Sequence, residues 1–274
     1  MNNMDNLHSY DNVEYVQGHE LSDEELRRYC DSKMESARSN VEFIEKVILE
    51  GGGGQNAAID VCEIGGGNGK LLYSLEKRGI LRNGINYEVS RSRCELAEKF
   101  AKLLSCEKVE NKNLNFLEDT TKENVFDCII MVDIVWQLIA PLYDSAENDM
   151  LQWIKKALKK GGYLFLELED DTHIIDQVKM EKILRIWEEF PEADPFQYSL
   201  KKITIDSDNN IVNEKYFIGR NNNKRDYFKN VIRPYTQEEI ANILKNDFDV
   251  SIHQLPLSER TENNEYRVLA KKIR

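Results

Sequence analysis

A glycine-rich turn between an apolar strand and a helix constrains the fold of this chain more than any other feature. Residues 59–64 are predominantly apolar, residues 65–69 read Gly-Gly-Gly-Asn-Gly, and a helix is predicted to begin at Lys70. Glycines in such a turn permit positive φ angles and bring the backbone within contact distance of a ligand, while the helix start offers free N–H groups. The stretch therefore predicts a small-molecule site where a strand meets a helix.

The spacing of this turn separates the classes of protein that use one. A P-loop has a glycine five positions before its Gly-Lys pair and a hydroxyl residue after the pair, but Ile64 and Leu71 occupy those positions. A dinucleotide-binding turn has a third glycine where this chain has Lys70. The spacing excludes the P-loop and weakens the dinucleotide interpretation without excluding it.

Further apolar strands alternate with helical segments along the chain. The predicted strands are residues 59–64, 84–87, 113–117, 126–132 and 163–168, followed near the C-terminus by 248–254 and 266–270. Alternating strands and helices predict a parallel sheet wound on both faces, in which ligands bind at the carboxyl ends of the strands. The fourth strand is continuously apolar after Asp127, as expected of a strand that is buried on both faces.

Residues 61–69 fit the pattern apolar-apolar-acid-apolar-Gly-x-Gly-x-Gly. This pattern resembles motif I of the class I S-adenosylmethionine (SAM) dependent methyltransferases. The resemblance extends over residues 57–170, because Glu88 ends the second strand and further acids follow the third. It implies an α/β fold with a doubly wound, mostly parallel seven-stranded sheet, SAM as cofactor and S-adenosylhomocysteine (SAH) as product.

The resemblance also suggests a division of the chain. The parts are an N-terminal helical cap with a glycine joint (1–54), a SAM-binding Rossmann-like core (55–170), an inserted substrate lid (171–235), and a C-terminal helix with closing strands (236–274). Capping boxes at Ser22 and Thr236 mark the starts of the cap and of the last helix. Within the lid we predict a helix over 174–190 and a β-hairpin of 198–205 and 211–218.

The motif assigns residues to the cofactor by their position in the pattern. The assigned residues are Glu63, Gly65, Gly67, Gly69, Glu88, Glu118, Asp119 and Val132. The glycines would approach the methionine and ribose, and Glu63 would shape the loop near the amino group. Glu88 lies 19 residues after Gly69, where a carboxylate can accept hydrogen bonds from both ribose hydroxyls. Asp119, or else Glu118, would contact the adenine amino group.

Two residues are candidates for catalysis. Asp133 follows the fourth strand and is expected close to the sulfonium methyl group. His173 follows the fifth strand and is the candidate general base, since an imidazole titrates near neutrality. A histidine beside Glu169, Asp170 and Asp171 is equally consistent with a bystander in a polar loop. These acids lack a distant partner ligand, so no metal site is predicted.

Residues expected to bind the methyl acceptor come from several segments. They are Trp136, Glu169, Arg220, Arg225 and Arg233. The arginines belong to residues 215–233, which contain six basic residues and one acidic residue. Such a stretch favours an anionic acceptor, for example a phosphorylated one, because arginine binds phosphate and carboxylate well. A solvated loop that balances nearby acids is the alternative.

Composition narrows the function further. The net charge of −12 argues against binding of a nucleic-acid backbone, which requires concentrated lysine and arginine. No apolar run is long enough to cross a membrane, which takes about 18 residues. The five cysteines include no C-x-x-C pair and are expected to be reduced thiols in a cytoplasmic protein.

The sequence thus predicts a methyltransferase for a small metabolite, such as a phosphorylated compound or nucleotide sugar of carbohydrate or specialised metabolism. Oxygen is the preferred target, because residues 132–135 lack the Asn/Asp-Pro-Pro-Tyr/Phe signature of many amino-directed methyltransferases. Three alternatives stay open: an N-methyltransferase, an NAD-dependent oxidoreductase, and a catalytically silent SAM-binding regulatory subunit. A homodimer is compatible with the sequence.

Overall fold

The computed structural model describes residues 21–50, 58–220, 225–255 and 264–273, which form two β-sheets with surrounding helices. The larger sheet has seven strands: β1 Ile59–Ile64, β2 Leu81–Tyr87, β3 Val109–Lys112, β4 Phe126–Met131, β5 Leu158–Asp170, β10 Phe248–Gln254 and β11 Asn264–Lys272. Their order across the sheet is β10-β11-β5-β4-β1-β2-β3. Strand β11 runs antiparallel to both of its neighbours, β10 and β5, and the other described pairs are parallel. The predicted fold class is confirmed.

Helices cover both faces of this sheet. They are α1 Asp23–Ser36, α2 Arg38–Glu50, α3 Lys70–Lys77, α4 Arg91–Leu104, α5 Val135–Ile139, α6 Ala146–Ala157, α7 Thr172–Glu181 and α8 Gln237–Leu244. Strand β4 shows why residues 128–131 are all apolar: Ile129 and Met131 enter the core beneath α6 and α8, whereas Cys128 and Ile130 enter the core beneath α2 and α3. Successive side chains of a strand point to opposite faces, so burial on both faces requires a continuous apolar run.

Several local predictions are confirmed. Both capping boxes are formed, at Ser22 and at Thr236. All five cysteines are buried free thiols.

The predicted glycine joint at residues 51–54 lies outside the described residues. No helix in the described ranges has the length and apolarity needed to cross a membrane.

The third strand was predicted too late in the chain. It spans Val109–Lys112 rather than 113–117. This strand lies at the edge of the sheet and pairs only with β2. Its sequence, Val-Glu-Asn-Lys, can therefore be polar. Residues 116–118 instead form a 3₁₀ turn.

The smaller sheet, which we call the inserted sheet, contains the predicted hairpin as two of its four strands, whereas the end of the predicted helix forms a further strand. It is antiparallel and contains β6 Leu184–Glu189, β7 Phe196–Ile205, β8 Ile211–Gly219 and β9 Arg225–Ile232. The predicted lid helix ends at Glu181, and residues 184–189 pair with β7, where Trp187 stacks on Tyr198 at 4.3 Å between ring centroids. A segment as short as residues 184–189 can form a helix or a strand, and here it forms a strand because it pairs with β7.

Candidate functional site

A cavity of about 380 Å³ lies at the carboxyl ends of β1, β2 and β4. One side is formed by the glycine turn and the ends of these strands, and the other side by α1 and the inserted sheet. A pocket of this size can hold a small organic ligand. The predicted residues that line it are Glu63, Gly65, Gly67, Glu88, Val132 and Asp133.

The three alternate glycines are needed for two different reasons. All have positive φ angles: +69° at Gly65, +56° at Gly67 and +76° at Gly69. A Cβ at Gly65 would lie 2.8 Å from a methyl carbon of Val135, and one at Gly69 would lie 2.6 Å from the Tyr73 ring. The nearest described atom to a Cβ at Gly67 would be Arg93 Nη1, at 3.6 Å. Gly65 and Gly69 therefore permit packing within the protein, whereas Gly67 keeps the cavity open.

Glu88 fixes the turn against the second strand. Its Oε2 accepts a hydrogen bond from the Gly67 backbone N–H at 2.9 Å, and its Oε1 accepts one from the Ser90 N–H at 2.8 Å. The side chain is buried yet lines the cavity. A carboxylate oxygen has more than one lone pair, so both oxygens can still accept bonds from a ligand. The geometry suits two vicinal hydroxyls, although ribose binding stays a prediction.

Glu63 carries a buried polar atom without a hydrogen-bond partner at the wall of the cavity. The residue is 1% exposed, and its Oε2 has no hydrogen-bond partner among the described residues. Burial raises the pKa of Glu63 to about 8, although the nearby Lys70 ammonium opposes this shift. A buried carboxyl oxygen without a partner is costly, and a donor from a ligand would remove that cost. The site is therefore suited to a ligand that brings a cationic donor.

An ion pair crosses the cavity between the glycine turn and the end of β4. Lys70 Nζ lies 3.1 Å from Asp133 Oδ2. The Lys70 ammonium is the main cause of the lowered pKa of Asp133, so this side chain stays a carboxylate near neutrality. Asp133 and Ile134 both have positive φ angles, 54° and 59°. Such backbone is unfavourable for a β-branched residue, and strain of this kind concentrates at functional sites.

The acids assigned to adenine lie outside the cavity lining. Burial alone would raise the pKa of Asp119. Hydrogen bonds from the Thr121 and Tyr87 hydroxyls and from Lys112 outweigh this effect, so the pKa is lowered. Residues 114–117 line the cavity instead. The displacement follows from the position of β3, which ends at Lys112, so the segment just beyond the strand begins earlier than predicted.

His173 likewise does not line the cavity. It is exposed near the start of α7, and its Nδ1 lies 3.3 Å from the carbonyl oxygen of Asp170. It is absent from the cavity lining, whereas Asp133 lines it. The placement disfavours the general-base assignment.

Replacing His173 with alanine is therefore expected to leave both SAH affinity and methyl-transfer rate within about twofold of wild type, since general-base catalysis would be worth about 100-fold or more. Isothermal titration and single-turnover transfer of a labelled methyl group would measure the two quantities. A large loss of transfer rate with unchanged SAH affinity would restore His173 as the base.

The residues assigned to the acceptor are engaged elsewhere. Trp136 is fully buried in the core, and the Glu169 backbone exchanges two hydrogen bonds with the Gln137 side chain. Neither lines the cavity.

The three arginines do not form a common anion site. The Arg220 guanidinium donates to the backbone carbonyls of residues 190, 191, 194 and 196 and so braces the inserted sheet. Arg225 is exposed at the start of β9, and Arg233 lies over the Tyr235 ring near Glu147. None of them lines the cavity.

The sequence analysis missed the cavity residues of α1 and the inserted sheet. Lys33 on α1 forms an ion pair with Asp194 at 3.1 Å, which joins the cap to the turn before β7. The inserted sheet contributes Lys215 and an aromatic wall, which we define as Phe190, Phe196, Phe217 and Phe228. Strand β8 has large apolar residues on both faces, so its alternation could not show which face was buried. Within the described ranges, no group of three or more His, Cys, Asp or Glu residues is arranged to hold a metal.

Comparison with known proteins agrees with this geometry. A family model described as "Methyltransferase domain" matches residues 30–246. A search of curated protein sequences finds no significant match.

Solved structures share the fold at low sequence identity. An S-adenosylmethionine-dependent methyltransferase from Clostridium acetobutylicum has a TM-score of 0.67 at 15% identity, covering 85% of this chain and 90% of its own. The CcbJ methyltransferase from Streptomyces caelestis has a TM-score of 0.64 at 13% identity, with coverages of 87% and 90%. CalS10, an amino pentose methyltransferase from Micromonospora echinaspora, has a TM-score of 0.58 at 12% identity and covers 94% of both chains.

Proposed function

Because the chain belongs to the methyltransferase-domain family, we propose that it transfers the methyl group of SAM to an oxygen atom of a small molecule bound beneath the inserted sheet. The family assignment confirms the predicted enzyme class and cofactor, and it removes the NAD-dependent oxidoreductase as an alternative. The observation that carries the proposal is the continuous cavity, which runs from the glycine turn past Asp133 to the aromatic wall.

The residues of the turn fit SAM. The unpartnered Oε2 of Glu63 suits the amino group of the methionine part, and Glu88 suits the ribose hydroxyls. The open space at Gly67 lets the ligand approach the backbone. Bound SAM supplies an electrophilic methyl carbon on a sulfonium. The protein then has to orient the two reactants and exclude water, since alignment alone can lower a barrier by several kcal/mol, about 7–11 in the best cases.

The acceptor side of the cavity argues against a strongly anionic substrate. Two lysines line it, and each is already paired with a carboxylate: Lys33 with Asp194, and Lys215 with Glu188. The remaining surface is largely aromatic and aliphatic. We therefore propose a weakly charged acceptor with an apolar part in place of a phosphorylated metabolite or nucleotide sugar.

Nitrogen is the second candidate target. The similar fold of CalS10, an amino pentose methyltransferase, favours it, whereas the sequence of residues 132–135 favours oxygen. Analysis of the methylated product by mass spectrometry and NMR would separate the two targets.

Titration and turnover test the proposal together. We expect SAH to bind with a Kd of about 1–100 μM and NAD to show no binding over the same range. Methyl transfer from labelled SAM should follow with phenols or amino sugars as acceptors. NAD binding without SAH binding would contradict the proposal, and tight SAH binding without transfer to any acceptor would favour the regulatory subunit.

A further inference from the structure

Lys215 occupies an unusual position for a lysine. It lies in the middle of β8, its side chain is 13% exposed, and it lines the cavity. Its Nζ lies 2.6 Å from Glu188 Oε2, and the Ser199 hydroxyl donates to the same oxygen at 3.0 Å. The ammonium also lies 4.8 Å from the centroid of the Phe217 ring and 5.7 Å from that of Phe190. Lysine is rarely buried unless it is paired, and Glu188 supplies the partner here.

The strand register fixes the orientation of this group. Lys215 lies opposite Phe228 on β9, and Phe217 lies opposite Ser199 on β7. Directly opposite residues share a face of an antiparallel sheet, so these side chains belong to the face turned toward the cavity. The other face carries Leu200, Tyr216 and Tyr227 in one exposed row.

The donor capacity of Lys215 exceeds what the protein uses. An ammonium has three N–H donors. Glu188 is the only hydrogen-bond partner that the described residues give Lys215. A ligand in the cavity can therefore accept a hydrogen bond from it. The ligand atom needs no negative charge, because Glu188 already pairs with the lysine.

The aromatic wall supplies the second part of the site. Phe217 and Phe228 stack with 5.3 Å between centroids and an interplanar angle of 17°, and Phe196 lies 4.7 Å from Phe217. Leu138, Ile139 and Leu142 also line the cavity. Aromatic side chains favour stacked or edge-to-face contact with another ring. This surface matches a flat apolar ring.

From these contacts we infer that Lys215 and the aromatic wall form the acceptor subsite, and that the acceptor is a flat ring compound bearing an uncharged or singly charged oxygen. The ring packs on the wall while the oxygen accepts a hydrogen bond from Lys215. The inference rests on the proposed function and gives its acceptor a chemical class. Lys215 acts as a specificity-determining residue that positions the ring relative to the methyl group.

Binding of a neutral phenolic probe tests the inference. Saturation-transfer NMR would measure 4-hydroxyacetophenone and glucose 6-phosphate against the full chain, with and without saturating SAH. We expect millimolar binding of the phenol and none of the sugar phosphate. Lys215→Met should weaken phenol binding about five- to tenfold, the value of a buried hydrogen bond, without changing SAH affinity.

Matched variants separate this role from a structural one. Lys202→Met removes a lysine that pairs with Glu214 on the outer face, and it should leave phenol binding unchanged. The double variant with Lys215→Met and Glu188→Gln avoids leaving Glu188 without its partner, and it should show the same loss. Equal phenol binding by wild type and both Lys215 variants, or preferential binding of glucose 6-phosphate, would overturn the inference. Failure of SAH binding alone would count against the proposed function, since the phenol titration is also done without SAH.

Discussion

Gly67→Ala should weaken SAH binding by about 100-fold, equivalent to roughly 2.7 kcal/mol, while the protein stays folded. Among the described residues, the nearest neighbours of the added methyl group are Arg93 Nη1 at 3.6 Å and Glu88 Oε2 at 4.0 Å, so it causes no clash. It would occupy the cavity where the ligand must approach the backbone. The variant therefore blocks the ligand without crowding the core.

Gly79→Ala is the matched control for this experiment. Gly79 follows α3 and has a φ angle of +75°, and a Cβ at this position would have no described atom within 4 Å. Both substitutions place alanine at positive φ and should each cost about 1–2 kcal/mol of unfolding free energy. Thermal unfolding would verify equal stability, and calorimetric titration would measure SAH affinity. Equal affinities for the two variants would show that Gly67 does not border the cofactor.

The turn and the sheet were predictable because their signals are local. Residues 59–72 combine an apolar strand, closely spaced glycines and a helix start, and few structures satisfy all three. Glu88 was found by the same logic, since the end of β2 must lie beside the end of β1 in a parallel pair. Local patterns of this kind do not depend on which distant segments pack together.

The third strand was misplaced for a different physical reason. Val109–Lys112 pairs with one neighbour only, so it is a polar strand, whereas the more apolar residues 114–117 line the cavity and pack on the core. An apolar pattern reports burial, and burial at a ligand site can be mistaken for burial in a strand. The same confusion placed the predicted adenine contact at Asp119, which does not line the cavity.

The acceptor side could not be derived from the sequence for a related reason. Strand β8 alternates Lys215 and Phe217 with Tyr216 and Ile218, so both faces look half-buried. The buried face is decided only by long-range pairing with β7 and β9. The same limitation led to Arg220 being read as a ligand group, although it holds backbone carbonyls of the inserted sheet.

The affinity for SAH is also expected to depend strongly on pH, because of the raised pKa of Glu63. Because burial raises its pKa to about 8, Glu63 is mostly protonated in the free protein at neutral pH. A ligand ammonium binds the ionised carboxylate better, so binding should be coupled to release of one proton. We expect SAH affinity to rise by up to about tenfold per pH unit below pH 8 and to level off above it. Titrations from about pH 6.5 to 8.5 would measure this.

Glu63→Gln should abolish that dependence, since an amide does not titrate in this range. At about pH 8.5 the variant should bind SAH roughly 30-fold more weakly than wild type, because it loses a charge-assisted hydrogen bond. Glu45→Gln is a suitable control, as Glu45 pairs with Arg78 at the surface of α2 and does not line the cavity. A wild-type affinity that is constant with pH would rule out the contact between Glu63 and the ligand.

The free energy of unfolding gives an independent measure of the ionisation of Glu63. The folded-state pKa of Glu63 lies above its ordinary value of 4.5. Between these two values the folded protein therefore holds a proton that the unfolded chain has lost. Its contribution to stability is complete below pH 4.5 and is lost as the pH rises to about 8, with a slope of at most about 1.4 kcal/mol per pH unit. Glu63→Gln lacks this slope and should be more stable than wild type above pH 8, although it binds SAH more weakly. A residue that lowers stability while strengthening ligand binding is expected at a functional site, where strain is retained for the sake of the ligand.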